Sequence, residues 1–296
     1  MSNKIIIPAD IPAQVESIFT ENYHAITHNT DRLFLFSCDQ KIEHLNSDFY
    51  GQNIHYDAQF PEHLFKIAAQ GRIGAMATHL GLMTRYAKHY PQVNYIVKLN
   101  ATTNLIPTIK KDPISTALWH IEHVMHFKQL TGLNIRGIGY TIYLGSEYES
   151  AMLSQAAQTI YAAHQHGLIA MLWIYPRGQH IAQGDPAQLA AGATGVANSL
   201  GADFVKIKPV DPENLKIAVA AAGNTRVICA GGKQKDPTSY LQELYEQIHT
   251  GGTAGCAVGR NIFQHGLPQA LAITEAISEI VYDNKTVAEA TKQLKK

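Results

Sequence analysis

Eight short apolar runs, separated by longer segments of helical spacing, predict a single closed (β/α)8 barrel, the TIM-barrel class of α/β fold, for this chain of 296 residues. Two observations narrow the choice. The first run ends in Ser37-Cys38-Asp39-Gln40, where a doubly wound dinucleotide fold needs a glycine-rich turn. No linker, low-complexity run or repeat beyond the βα rhythm divides the chain, so residues 1–296 read as one domain.

The elements follow in order. Residues 1–30 form an N-terminal extension, with weak helical spacing over Ala13–Tyr23 suited to covering one end of the fold. The predicted strands are Leu33–Ser37, Ile73–Thr78, Tyr95–Leu99, Ile135–Ile142, Ile169–Tyr175, Phe204–Lys208, Arg226–Ala230 and Gly255–Gly259. Predicted helices lie over Glu62–Gln70, Leu82–His89, Pro113–Leu130, Glu147–His166, Pro186–Leu200, Pro212–Ala222 and Pro237–His249. A C-terminal helix, about Leu267–Val281, follows the eighth strand. Asp-Pro pairs at 112–113, 185–186, 211–212 and 236–237 set a capping carboxylate before a proline at the first helical position. Gly132, Gly167, Gly201 and Gly251 fall where helices should stop. The loop over residues 40–60, after the first strand, is long for a βα connection, and such loops over a barrel mouth are more often functional than idle.

Composition excludes several partners. Lys plus Arg equals Asp plus Glu, at 24 each, so no net field draws the protein toward nucleic acid or a membrane surface. The apolar stretch before Pro8 is too short for a signal peptide, and no run approaches a membrane span. Cys38, Cys229 and Cys256 lack framework spacing, which suits reduced thiols in a soluble, cytoplasmic protein.

In barrels of this class the chemistry lies at the C-terminal ends of the strands. The residues there are Asp39; Lys98 and Asn100; Trp173, Tyr175 and Arg177; Lys206 and Lys208; Ala230, Gly231, Gly232 and Lys233; and Gly259, Arg260 and Asn261. On the sixth strand Phe204, Lys206 and Lys208 share one face, opposite Val205 and Ile207. Either both amines snorkel to a solvated strand end, or one is desolvated beside a second cation and becomes a nucleophile. Lowering a lysine from about 10.4 to about 7 takes roughly 4–5 kcal/mol of environmental work. Trp173, Tyr175 and Arg177 alternate, presenting an indole, a phenol and a guanidinium on one face; they either fill the barrel or serve a ligand. Gly231, Gly232, Gly259 and Arg260 fall where barrels usually bind phosphate, which favours a phosphorylated ligand over simple tight turns.

A family resemblance rests on these residues together. Gly139-Tyr-Thr-Ile-Tyr-Leu-Gly-Ser-Glu147, Trp173-Ile-Tyr-Pro-Arg-Gly178, Ala202-Asp-Phe-Val-Lys-Ile-Lys208 and Val258-Gly-Arg-Asn-Ile-Phe263, with Ile96-Val-Lys-Leu-Asn100 and Asp39, resemble the archaeal-type class I fructose-1,6-bisphosphate aldolases, in order over about residues 33–281. The resemblance implies metal-independent imine chemistry, with no cofactor beyond the covalent imine. By position Lys206 matches the imine-forming lysine, Tyr175 the proton-transfer residue, Asp39 the carboxylate near the imine and Trp173 the residue beside the substrate carbons. The loops at Ala230–Gly232 and Gly259–Arg260 match the site for the phosphate of dihydroxyacetone phosphate, with Arg177 a candidate for the other phosphate. Lys208 would lower the pKa of Lys206 by like-charge repulsion. The resemblance also implies a homo-oligomer built on rings. Where many relatives read Asp-His-Gly, this chain has Asp39-Gln40-Lys41, so aldehyde recognition is the part left open; Lys41 or His44 could reach the distal phosphate.

Other readings stand beside this one. Related imine enzymes, the heptulosonate-forming synthases and the autoinducer-degrading branch, share barrel and lysine. A phosphosugar isomerase would use Glu43 or Glu147 as its base, and a non-catalytic sensor would bind without turnover. His120, His123 and His126 invite a metal, but they precede the fourth strand and so lie away from the mouth.

Overall fold

The computed structural model describes residues 5–107, 110–181 and 184–295. Eight strands form the barrel: β1 (Leu33–Ser37), β2 (Ala75–His79), β3 (Tyr95–Lys98), β4 (Ile135–Leu144), β5 (Ile169–Pro176), β6 (Phe204–Ile207), β7 (Arg226–Ala230) and β8 (Gly255–Val258). They close in the cyclic order β1-β8-β7-β6-β5-β4-β3-β2, every pairing parallel. Around them run α1 (Glu16–Thr27), α2 (Gln40–Glu43), α3 (Pro61–Gln70), α4 (Leu80–Tyr86), α5 (Ile121–Thr131), α6 (Glu149–His164), α7 (Pro186–Ser199), α8 (Pro212–Ala221), α9 (Pro237–His249), α10 (Arg260–Phe263), α11 (Leu267–Val281) and α12 (Val287–Ala290).

Alternation along each strand divides the core in two. Leu33, Leu35, Ala75, Ala77, Ile96, Met171, Trp173, Phe204, Ile228 and Ala257 fill the barrel, while Phe34, Phe36, Met76, Val97, Val205, Ile207 and Val227 pack outward against the helices. The N-terminal extension belongs to the inner set. Helix α1 brings Phe19, Tyr23 and Ile26 against the barrel's floor, where the Tyr23 ring stacks on Phe204 at 5.7 Å. The extension is therefore a plug.

A buried ion network fastens that plug. His164 is fully buried at the end of α6; its Nδ1 meets both Asp10 oxygens at 3.0 and 2.9 Å and its Nε2 meets Asp203 at 3.3 Å. Burial alone would depress the imidazole's pKa, but hydrogen bonds and charges from Asp203 and Asp10 raise it above the usual histidine range. His164→Gln leaves Asp203 buried without its cation and lowers the unfolding free energy by about 3–5 kcal/mol at pH 6. Because the folded-state pKa is raised, this contribution is complete below about pH 6.5 and fades as pH climbs through the raised value. Denaturant titrations of both proteins from pH 6 to 9 should show the gap narrowing.

One expectation needs correcting. Pro113 does not start a helix; α5 begins at Ile121, and Thr116–Ala117 instead pairs antiparallel with Asn100–Ala101. The Asp112 carboxylate accepts the Glu147 N–H at 2.9 Å and the Gln179 N–H at 2.8 Å, so it clamps two loops rather than capping a helix. Gly251 does follow the end of α9, directly after its cap residue Thr250; a Cβ there would meet the Gln247 carbonyl at 2.7 Å, and the left-handed conformation falls one residue later, at Gly252 (φ 74°).

Within the loop over residues 40–60, the segment 48–55 packs against α10 and the residue after it. Phe49 stacks on Phe263 at 4.8 Å, and Gln264 both donates to the Asp48 carbonyl at 2.7 Å and accepts from the His55 N–H at 2.9 Å. Among the described residues no helix is long and apolar enough to cross a membrane.

Candidate active site

The rows of the barrel bring the candidate side chains together. Thr141, Trp173 and Lys206 are register partners on β4, β5 and β6, with Tyr143 and Tyr175 paired one step nearer the rim. On the other side His79 pairs with Lys98, and Lys98 with Gly139. Gly139 makes room for the indole: a Cβ there would lie 2.2 Å from the Trp173 ring. Trp173 thus lies across the mouth, with the Lys206 ammonium 5.4 Å from its ring centroid and the Lys98 ammonium 5.6 Å away.

Both lysines are enclosed. Lys206 is 6 % exposed and donates to Ser37 Oγ at 3.1 Å; Lys98 is fully buried and donates to the Asn100 carbonyl at 2.8 Å and to Asn100 Oδ1 at 3.1 Å. Burial holds the Lys206 amine below the ordinary lysine range; Asp39 and Glu43 oppose this, while Lys98 and Arg260 reinforce it. Lys98 is likewise lowered by burial against Glu43 and Asp39. For Asp39, burial would raise the carboxyl, but Lys206, Lys98 and His79 together bring it below its usual value. The arrangement is a buried carboxylate in the field of two amines whose charge is weakened by desolvation.

The phenol is shaped differently. Burial, then Glu43, Asp39 and Tyr143, hold the Tyr175 hydroxyl well above the ordinary phenol range, with Arg177 opposing. The phenol therefore holds its proton more tightly than a solvated tyrosine does. Around it three buried polar atoms have no hydrogen-bond partner among the described residues: His79 Nε2, Thr141 Oγ1 and Trp173 Nε1. Orphaned polar groups are rare in a protein interior and call for an explanation. A ligand carrying several hydroxyls would satisfy them.

The rim of β7 and β8 is organised by Arg260, whose Nε donates to the Gly232 carbonyl at 2.9 Å and whose Nη1 reaches Asp48 at 3.4 Å. Asn261 adds a bond to the Gly231 carbonyl at 2.7 Å. The Gly231 N–H is not free for an anion, since it donates to Ala257 at 3.0 Å. Gly259 is required for packing, because a Cβ there would sit 2.5 Å from the Ser37 carbonyl. Gly232, with φ 70° and open space around it, lies on this edge with half-buried Ala230 and Arg260.

Three cations fall elsewhere than the sequence suggests. Lys208 lies beyond the end of β6, where the strand alternation no longer applies, and is exposed; the lysine that acts on Lys206 is Lys98. Lys208 and Arg177 border a cavity of about 650 Å³ between the ends of β5 and β6 and helix α7, beside the mouth rather than in it, although the Arg177 guanidinium lies 5.7 Å from the Tyr143 ring. The Lys41 ammonium lies 4.1 Å over the Phe49 ring. Of the two carboxylates weighed for isomerisation, Glu43 reaches the mouth and Glu147 is exposed. His120 and His123 cap α5, the His120 N–H donating to His123 Nδ1 at 3.1 Å, and among the described residues no group of acidic, His and Cys side chains is placed to hold a metal.

Sequence reasoning passed over Ser37, His79, Thr141 and Tyr143. Each lies at an inward position two residues beyond another, so extending the alternation to the last strand residue finds them.

Comparison with known proteins follows this geometry. The model for DeoC/LacD family aldolases matches residues 33–265. A Methanocaldococcus jannaschii protein named fructose-bisphosphate aldolase/6-deoxy-5-ketofructose 1-phosphate synthase is 47 % identical over 290 residues, covering 97 % of this chain and 93 % of its own length. A Thermoproteus tenax class 1 fructose-bisphosphate aldolase is 31 % identical, over 91 % of this chain and 97 % of its own. Among solved structures, a fructose-bisphosphate aldolase from Slackia heliotrinireducens superposes with a TM-score of 0.97 at 46 % identity, covering 100 % of this chain and 95 % of that one. An archaeal fructose-1,6-bisphosphate aldolase, with its catalytic lysine covalently bound to the substrate's carbinolamine, superposes at 0.78 with 29 % identity, over 89 % of this chain and 99 % of its own. With a family match spanning most of the barrel and relatives near half identical along almost the whole length, the chain belongs to the DeoC/LacD family of aldolases.

Proposed function

We propose that this aldolase cleaves fructose 1,6-bisphosphate reversibly to dihydroxyacetone phosphate and glyceraldehyde 3-phosphate through an imine on Lys206. The observation that carries the reading is the Lys206 amine itself: inside the mouth, desolvated, donating to Ser37 Oγ, with a second buried lysine and Asp39 both acting on its charge. Neutral Lys206 attacks the C2 ketone, Tyr175 protonates the departing carbinolamine hydroxyl, and Asp39 offsets the charge of the iminium that results. The iminium draws the C3–C4 bonding pair toward C2. Trp173 supports the carbon chain, and Gly232 with Arg260 supplies the pole for the C1 phosphate.

The aldehyde half supports a second reading. The M. jannaschii relative's name adds 6-deoxy-5-ketofructose 1-phosphate, whose C3–C4 cleavage yields the same triose phosphate and the unphosphorylated keto-aldehyde methylglyoxal. The cations available for a distal phosphate, Arg177 and Lys208, stand at an exposed rim, so an acceptor without phosphate is compatible with this mouth.

Incubation with dihydroxyacetone phosphate and borohydride, followed by peptide mapping, tests the imine; an adduct on another lysine, or none, defeats the assignment. Comparing triose release from fructose 1,6-bisphosphate with condensation onto methylglyoxal then ranks the two acceptors.

A further inference from the structure

Arg260 opens α10, and two acceptors fix its guanidinium. The Gly232 carbonyl takes Nε at 2.9 Å, and Asp48 Oδ1 meets Nη1 at 3.4 Å. A guanidinium is a rigid planar fork, so anchoring two of its nitrogens sets the direction of the third. Nη2 has no partner among the described residues, and it is the nitrogen left to meet a ligand.

Asp48 comes from the loop after β1, and three contacts deliver it there. Its carbonyl accepts from Gln264 Nε2 at 2.7 Å; the neighbouring Phe49 ring lies 4.8 Å from that of Phe263, with the planes 5° apart; and His44 Nδ1 bonds its second carboxylate oxygen. Both rings are fully buried, and Asp48 is only 8 % exposed. A carboxylate so enclosed needs partners to stay ionised. Burial would raise the Asp48 carboxyl, but the hydrogen bond from His44 and the charge of Arg260 bring it below its usual value.

The two effects of this carboxylate on an anion beside Arg260 have opposite signs. Its charge repels an arriving phosphate. Its geometry helps, because a half-buried arginine released from one anchor must be ordered afresh each time a phosphate binds. The far oxygen is engaged by His44, which draws charge away from the guanidinium, so ordering outweighs repulsion. We propose that Asp48 is the positioning residue of the phosphate pole, fixing the Arg260 guanidinium in the orientation that receives the substrate's C1 phosphate. This rests on the Gly232–Arg260 pole proposed above and adds the 40–60 loop to it. The loop then serves the dihydroxyacetone phosphate half of the substrate rather than its aldehyde.

Glycerol 3-phosphate tests the pole by itself, since it shares the skeleton and phosphate of dihydroxyacetone phosphate but has no ketone to form an imine. In calorimetric titrations Asp48→Ala should weaken its binding about 10–100-fold, the loss expected for a hydrogen bond to a charged group. Asp48→Asn, which keeps an acceptor for Nη1, should stay within about fivefold of wild type. Arg260→Met should weaken binding as well, and adding Asp48→Ala to it should cost less than about twofold more. Labelling of Lys206 by borohydride with dihydroxyacetone, which carries no phosphate, should remain within about threefold of wild type in Asp48→Ala, as a collapsed mouth would not allow. Binding that tightens or holds in Asp48→Ala, labelling that falls in step with binding, or a loss that persists in full in the Arg260→Met background overturns the role of Asp48. Arg260→Met binding as tightly as wild type overturns the pole, and the role of Asp48 with it. Absence of a Lys206 adduct in the wild type overturns the imine alone, and the binding titrations still decide the pole.

Discussion

Replacing Lys206 by methionine should abolish borohydride labelling and turnover together, with kcat falling by at least about 10⁵-fold. Methionine keeps the volume of the stem and removes only the amine, so the barrel should fold. Asp39 would still face Lys98 and His79, and Arg260 would still hold the Gly232 loop. The wild-type pH dependence carries the sign of the environment. Burial lowers the Lys206 pKa, so labelling should reach half its maximum below pH 10.5, the ordinary lysine value. Lys98→Met removes a like charge and should move that midpoint upward. A midpoint that moves down, or labelling that survives in Lys206→Met, would remove this amine from the chemistry.

Tyr175→Phe should reduce turnover by about 10²–10⁴-fold while leaving phosphate-pole binding intact. The hydroxyl is the only atom lost, and in the proposed mechanism it is the proton donor to the carbinolamine. Because imine formation and hydrolysis both need that donor, labelling at Lys206 should slow but not disappear. Steady-state kinetics would show the deficit in kcat, with little change in KM when chemistry is slow relative to dissociation. A rate equal to wild type would take the phenol out of the mechanism.

Most of the barrel was legible because strand alternation and cap chemistry are local. Asp185, Asp211 and Asp236 accept from Ala187, Asn214 and Ser239 as the Asp-Pro pattern requires. The same dipeptide misleads at Asp112, where the carboxylate serves two N–H groups 35 and 67 residues away. Such a partner lies outside any sequence window. Lys206 and Lys98 could both be named from strand ends, yet that Lys98 rather than Lys208 flanks the reacting amine depends on how β3 and β6 face each other across the barrel. Strand ends also limit the method: alternation carries Phe204 and Lys206 inward but says nothing about Lys208 once the strand has stopped. The plug formed by α1 was foreseen only as a cap, since its inward residues reveal their face through contact with Phe204.

The Trp173 indole, with two lysine amines within 6 Å of its ring centroid, gives this protein a built-in optical probe. Tryptophan emission responds to nearby charge, and the chain has only two tryptophans, Trp119 and Trp173. In a Trp119→Phe background the remaining emitter would record the arrival of a sugar phosphate and the change at Lys206 in real time. Binding and bond formation could then be followed by stopped-flow light emission without a coupling enzyme.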